Sequence, residues 1–160
     1  MQLLLLLLLL VAPYLILTLA GRLSGGPGIA PAARARVGLT LFFLFTGLGH
    51  FVRTEEMAEM VPPRIPYRVE LIYLTGVLEL LGAAGVWVPR LMKLTGLCLI
   101  LMLIAVLPAN IYSAVERVEF GGHGAGPAYL LVRVPFQFFV IWWTYFATEQ
   151  TWLRRRTKEA

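Results

Sequence analysis

At 160 residues, with 59% hydrophobic and only 14% charged residues and a mean hydropathy of +0.77, the chain lacks the polar quarter that a soluble domain turns to water. Its net charge of +5 does not point to nucleic acid, which needs a basic patch on a solvated face; here lysines and arginines punctuate apolar runs. The one cysteine, Cys98, excludes a disulfide framework, a CxxC pair and a four-ligand zinc site.

In lipid every backbone polar group must be satisfied within the spanning structure, so spans are helices or closed barrels, and these runs are long enough for helices. A hydrocarbon core of about 30 Å asks for roughly 17–25 helical residues. Five segments qualify: Leu3–Ala20, Val37–Val52, Val69–Val88, Leu91–Leu107 extending to Ala114, and Ala128–Ala147. The fold class expected is therefore all-α, a polytopic transmembrane helix bundle. It divides into an N-terminal helix and linker (1–35), a helical membrane core (36–149) and a basic tail (150–160).

The first segment has Thr18 and Ala20 at positions suited to signal cleavage, but no basic n-region, and its arginines follow the apolar stretch. It is expected to be a retained helix. Pro-rich Val61–Pro66 precedes the third segment, Pro89 separates third from fourth, and Gly121–Pro127 precedes the fifth. Pro127 suits a first helical position, whereas Pro13, Pro108 and Pro135 fall inside helices, where they predict kinks.

With the N-terminus outside, the inner side carries Arg22, Arg34, Arg36, Arg90, Lys93, Arg154, Arg155, Arg156 and Lys158, and the outer loops carry Arg53, Arg64, Arg68 and Arg117. That imbalance satisfies the positive-inside rule. It predicts a multi-pass protein of a cytoplasmic membrane, N-terminus outside and C-terminus cytoplasmic, with Trp152 and the basic tail as an interfacial anchor.

Each polar group within a span costs at least about 2.5–3.5 kcal/mol if charged and needs a reason. His50, Glu79, Asn110, Arg133 and Gln137 are the candidates. At about 1.5 Å per residue, Glu79 and Gln137 lie roughly 15 Å below the outer end of their helices, Arg133 roughly 9 Å, and His50 roughly 20 Å from the inner end. All five fall in the outer half, on four helices that Gly47, Gly49, Gly76, Gly82 and Gly85 allow to approach closely. The pattern predicts an outward-opening polar pocket, with Glu79 paired to Arg133. The blander reading has His50 and Arg133 snorkelling to the interface, Asn110 repairing the helix around Pro108, and Glu79 in a structural pair. His123, in a Gly-rich loop, is expected to be solvated. A lone intramembrane histidine leaves a b-haem without paired axial ligands, and the aromatic run Phe136, Phe138, Phe139, Trp142, Trp143, Tyr145, Phe146 reads as lipid contact.

Gly49-His50-Phe51, Met60-Val61-Pro62-Pro63, Thr75-Gly76-Val77-Leu78-Glu79, Leu107-Pro108-Ala109-Asn110-Ile111 and Arg133-Val134-Pro135-Phe136-Gln137 together resemble the DoxX family of small bacterial membrane proteins. The resemblance implies a four-helix core from Arg36 to about Tyr145, with Leu3–Ala20 as an added helix. It also implies a link to membrane redox systems, since the family is named for a subunit of a thiosulfate:quinone oxidoreductase.

The function expected is a redox-accessory subunit or small-molecule binding protein whose pocket holds a quinone-like molecule, with donors from His50, Asn110, Arg133 and Gln137. Alternatives are a transporter or permeation protein, and a structural or assembly subunit. The sequence offers no metal cluster, nucleotide loop, nucleophile triad or dithiol pair for an autonomous enzyme. The expected cofactor is none intrinsic, with a bound quinone as ligand. The expected partners are the lipid bilayer, a lipophilic small molecule, a redox protein and a second copy of the chain, but not nucleic acid.

Overall fold

The computed structural model describes residues 2–25 and 29–159, with side chains described as far as Glu149. The tail residues Trp152, Arg154, Arg155, Arg156 and Lys158, expected to anchor the inner interface, lie outside the described side chains.

The described chain is all-helical: α1 (Gln2–Leu23), α2 (Pro31–Val52), a short α3 (Thr54–Glu59), α4 (Arg68–Gly85), α5 (Met92–Val115), a 3-10 turn (His123–Tyr129) and α6 (Leu130–Glu159). Four helices are long and apolar enough to cross a membrane: α1, α2, α5, and the 3-10 turn with α6 as far as Glu149. The fifth expected span is α4, only 18 residues long and carrying Arg68, Glu70 and Glu79. At about 1.5 Å per residue it measures about 27 Å, and it lies along α2 in the opposite sense. At one end Trp87 donates to the Thr40 hydroxyl (2.8 Å); at the other Thr75 meets His50.

Two boundaries differ from the sequence expectation. α2 begins at Pro31 rather than Val37, with a proline in the first turn, where its missing N–H costs nothing; this carries Arg34 and Arg36 into the helix. Pro127 does not open α6 but sits inside the 3-10 turn, after Gly126 at φ +77°. Pro13, Pro108 and Pro135 all lie within helices, as expected.

Contacts fix the helix directions. Arg34 of α2 reaches Thr18 of α1 (2.9 Å), Arg36 reaches Met92 of α5, Trp143 of α6 donates to the Ala35 carbonyl (3.0 Å), and Lys93 pairs with Glu149 (3.6 Å). One end of the bundle thus gathers the C-terminal parts of α1, α4 and α6 with the N-terminal parts of α2 and α5. The opposite end carries His50, Asn110 and Arg133.

The core runs through the bundle from Leu6 and Leu10 of α1 to Leu39, Phe42 and Phe43 of α2, Leu99 and Leu103 of α5, and Val140 and Trp143 of α6. Most other large apolar residues face outward, such as Leu15, Ile16, Leu81, Leu94, Leu131 and Phe138. That is the inverse of a soluble protein and what lipid requires. The aromatic run is split: Phe138, Trp142 and Tyr145 are exposed, whereas Phe136 and Trp143 belong to the core. Close approach depends on glycine. A Cβ at Gly38 would run into the Leu10 carbonyl, so α1 and α2 touch backbone to backbone; one at Gly76 would lie 2.7 Å from the Cβ of His50.

Candidate functional site

The five candidate residues form two groups, one in each of two helix seams at the same end of the bundle. In the α2–α4 seam, His50 stands near the end of α2, and Gly76 lets α4 come close enough to place Thr75 and Glu79 on either side of the imidazole. Thr75 Oγ1 is 3.1 Å from His50 Nδ1 and also lies 3.0 Å from the Leu71 carbonyl and 2.9 Å from that of Ile72. His50 Nε2 is 3.6 Å from Glu79 Oε1, within charge-pairing reach but longer than a hydrogen bond.

The hydroxyl has one proton to give. If it goes to a backbone carbonyl, His50 must donate from Nδ1 to Thr75, and Nε2 then faces the Glu79 carboxyl as an acceptor. Glu79 is buried (8% exposed), and its second oxygen, Oε2, is buried without a hydrogen-bond partner.

In the α5–α6 seam, Asn110 donates from Nδ2 to the Val106 carbonyl one turn back (3.2 Å) and accepts from Arg133 Nη2 (3.3 Å). Gln137, 2% exposed, donates to the Leu103 carbonyl across the seam (2.7 Å). Both carboxamides serve carbonyls in the turns around Pro108, where a proline weakens the helical ladder. The Arg133 guanidinium also lies over the Phe136 ring at 5.9 Å, and Phe136 meets Phe42 of α2 at 6.3 Å, so an aromatic pair separates the two seams.

The expected Glu79–Arg133 pair is not formed. Glu79 pairs with His50, and among the described residues no ion pair reaches Arg133. His50 stands closer because both Gly47 and Gly76 lie in the α2–α4 seam, and a Cβ at Gly76 would lie only 3.2 Å from the Gly47 carbonyl.

His123 departs further from expectation. It is 3% exposed, its Nδ1 is 2.8 Å from the Phe120 carbonyl, and its ring packs edge-on against Tyr129 (4.9 Å), whose hydroxyl donates to the Gly121 carbonyl (2.7 Å). Positive φ values at Gly121, Gly122 and Gly126 fold the loop back over itself. An open depression of about 390 Å³ lined by Glu119, Phe120, Gly121, Gly122, Gly124 and Ala125 lies beside it, on the rim rather than in either seam.

Sequence reasoning missed Arg36, which is 8% exposed. Counted only among the inner-side cations at the edge of the core, it is instead a buried guanidinium in the second turn of α2. Pro31 was the signal: read as a first helical residue, it extends α2 far enough to enclose Arg36. Among the described residues no group of three or more His, Cys, Asp or Glu could hold a metal ion.

Lipid-facing apolar surfaces on helices of spanning length, with ionisable groups held between them, define a multi-pass α-helical membrane protein. Residues 39–148, from the first third of α2 into α6, match the family model of a domain of unknown function, DUF8561, and the chain belongs to that family. This overturns the resemblance to DoxX. The motifs behind it are short strings that combine a proline or glycine with one polar residue, which membrane helices use widely to bend, approach and close a carbonyl. Searches of curated proteins and of solved structures gave no match.

Proposed function

We propose that the protein binds a lipophilic, carbonyl-bearing small molecule of the quinone class at the His50–Glu79 seam, as an accessory subunit of a membrane redox system. The observation that carries this reading is the Glu79 carboxyl: one oxygen sits 3.6 Å from His50 and the other is buried with no partner. An unpaired polar atom in an apolar surround costs free energy, and intramembrane ionisable groups mark ligand or proton routes. A quinone carbonyl needs a donor, and its reduction consumes protons as well as electrons. The His50–Glu79 pair can offer and replenish a proton, while Arg133, half-buried and bonded to Asn110 alone among the described residues, retains donors for a second carbonyl. Asn110 and Gln137 are committed to backbone carbonyls and act by holding α5 and α6. Electrons would come from a partner protein. On the positive-inside count, this end faces outward, with the C-terminus cytoplasmic.

The test is direct binding of ubiquinone or menaquinone to the purified protein in detergent. Glu79→Gln and Arg133→Ala are each expected to weaken binding about tenfold, which corresponds to about 1.4 kcal/mol. No binding to the wild type, or equal binding in all three proteins, would sink the reading.

A further inference from the structure

At the end of the bundle opposite Glu79, Arg36 is a buried cation without a counter-charge among the described residues. It is 8% exposed, and its polar contacts are a neutral sulfur, Met92 Sδ at 3.3 Å, and the face of Trp87 at 5.3 Å. Its Nε is buried with no hydrogen-bond partner. Among the described residues no carboxylate comes within ion-pair distance; Glu149, the acid at this end, is paired with Lys93. Beside it, among the described residues, stand the Trp87 ring and the partial negative charge where α4 ends, at Val86, with the C-terminal end of α1 also at this end of the bundle. Against that stand the N-terminal ends of α2 and α5, neither capped by a side chain, and the cations Arg22, Arg34, Arg90 and Lys93 on the elements converging here.

A desolvated charge left unpaired is strongly unfavourable, and this one lies within the second turn of a spanning helix, near enough to its end for a long side chain to reach headgroup level. The ring that covers it, Trp87, is itself 45% exposed, so the guanidinium lies one side chain below the lipid-facing surface. We propose that Arg36 is the centre of an anion site for the phosphate of an acidic phospholipid. The planar guanidinium contributes the forked donors that suit phosphate oxygens, and Trp87 is the wall against which the headgroup lies. Basic pockets between helices near the bilayer surface hold acidic lipids in this manner. The site stands independently of the ligand proposed for Glu79.

Full-length protein in nanodiscs of mixed phosphatidylglycerol and phosphatidylcholine is extracted gently, and the lipid it retains is identified by intact-complex mass spectrometry. Wild-type protein is expected to retain phosphatidylglycerol over phosphatidylcholine by about tenfold. Arg36→Gln should reduce that preference to about twofold or less. Arg34→Gln, which removes a cation at the same end that is bonded to Thr18, should leave it intact. Should Arg36→Gln fail to accumulate, Arg36→Lys keeps the charge without the fork and is expected to cut the preference about fivefold. Equal retention of the two lipids by the wild type, or undiminished preference in both Arg36 variants, would overturn the proposal. Displacement of the lipid by millimolar inorganic phosphate would overturn it in favour of a free-anion site.

Discussion

Between α5 and α6 the polar side chains end on something. Gln137 closes the Leu103 carbonyl, and Asn110 closes that of Val106 while accepting from Arg133. Between α2 and α4 they do not: Thr75, His50 and Glu79 form a chain whose last atom, Glu79 Oε2, is buried with no hydrogen-bond partner among the described residues. The two seams lie at one end of one bundle, and the membrane makes the same demand on both. A polar group in lipid is retained either because it completes a neighbour's hydrogen bonding or because something else completes its own. The first describes the α5–α6 seam, the second the α2–α4 seam, so stability should depend more on polar residues in the former and binding on those in the latter.

The largest effect on stability is expected from packing. Gly76→Val would press a side chain against the Cβ of His50 and the ring of Phe51, 2.7 Å and 3.0 Å from the new Cβ. Overpacking of this kind should cost about 2 kcal/mol in denaturant unfolding followed by circular dichroism, with loss of any quinone binding. By contrast, Gly49→Ala, on α2, meets the Met57 methyl at 3.5 Å, an ordinary contact, and should cost less than half as much; equal losses would show that close approach in the α2–α4 seam is not what Gly76→Val disrupts.

Gln137→Leu is next. It removes the hydrogen bond that Gln137 donates across the seam to the Leu103 carbonyl and should destabilise the bundle by about 1 kcal/mol, in the range of interhelical hydrogen bonds measured in membranes, while His50–Glu79 binding is retained. Glu79→Gln, of the same shape, should change unfolding free energy by no more than about 0.5 kcal/mol and yet weaken the ligand. If instead Glu79→Gln unfolds the protein and Gln137→Leu does not, the roles of the seams are reversed.

The smallest effect lies outside the bundle. On α3 the exposed Glu56 accepts a hydrogen bond from Arg53 (2.9 Å), and that bond holds its carboxyl below the ordinary carboxylate value. A carboxyl depressed in the folded state contributes stability above its unfolded pKa and loses it as pH falls through the folded one. Amide exchange in α3 should therefore rise relative to α2 as acid crosses the carboxylate range, and Glu56→Gln should abolish that rise. Since both side chains are largely exposed, only local fraying is expected.

The helical membrane architecture was legible because predominantly apolar segments of about 16 to 24 residues leave few alternatives. The choice of His50, Glu79, Asn110, Arg133 and Gln137 likewise needed only the cost of polarity in lipid. Their pairing was not legible: hydropathy gives depth along a helix but not its rotation, and the rotation of α4 is set by Gly47 and Gly76, which turn Glu79 towards α2. Arg36 was lost for a related reason. A helix start displaced by six residues, from Val37 to Pro31, changes a solvated cation into a buried one. His123 was lost because a run of glycines reads as open loop, whereas positive φ values there fold it over the ring.

The backbone contact between Gly38 and the Leu10 carbonyl bears on how the bundle sits in bilayers of different thickness. Sliding α1 along α2 would drive a peptide oxygen against Ala35 or Phe42, which flank Gly38 on the buried face. The height of α1 is thereby keyed to that of α2, and Gly76 against His50 keys α4 to both. A thicker or thinner membrane must then tilt these three helices together rather than sink one of them, and the Glu79 carboxyl will change depth with them.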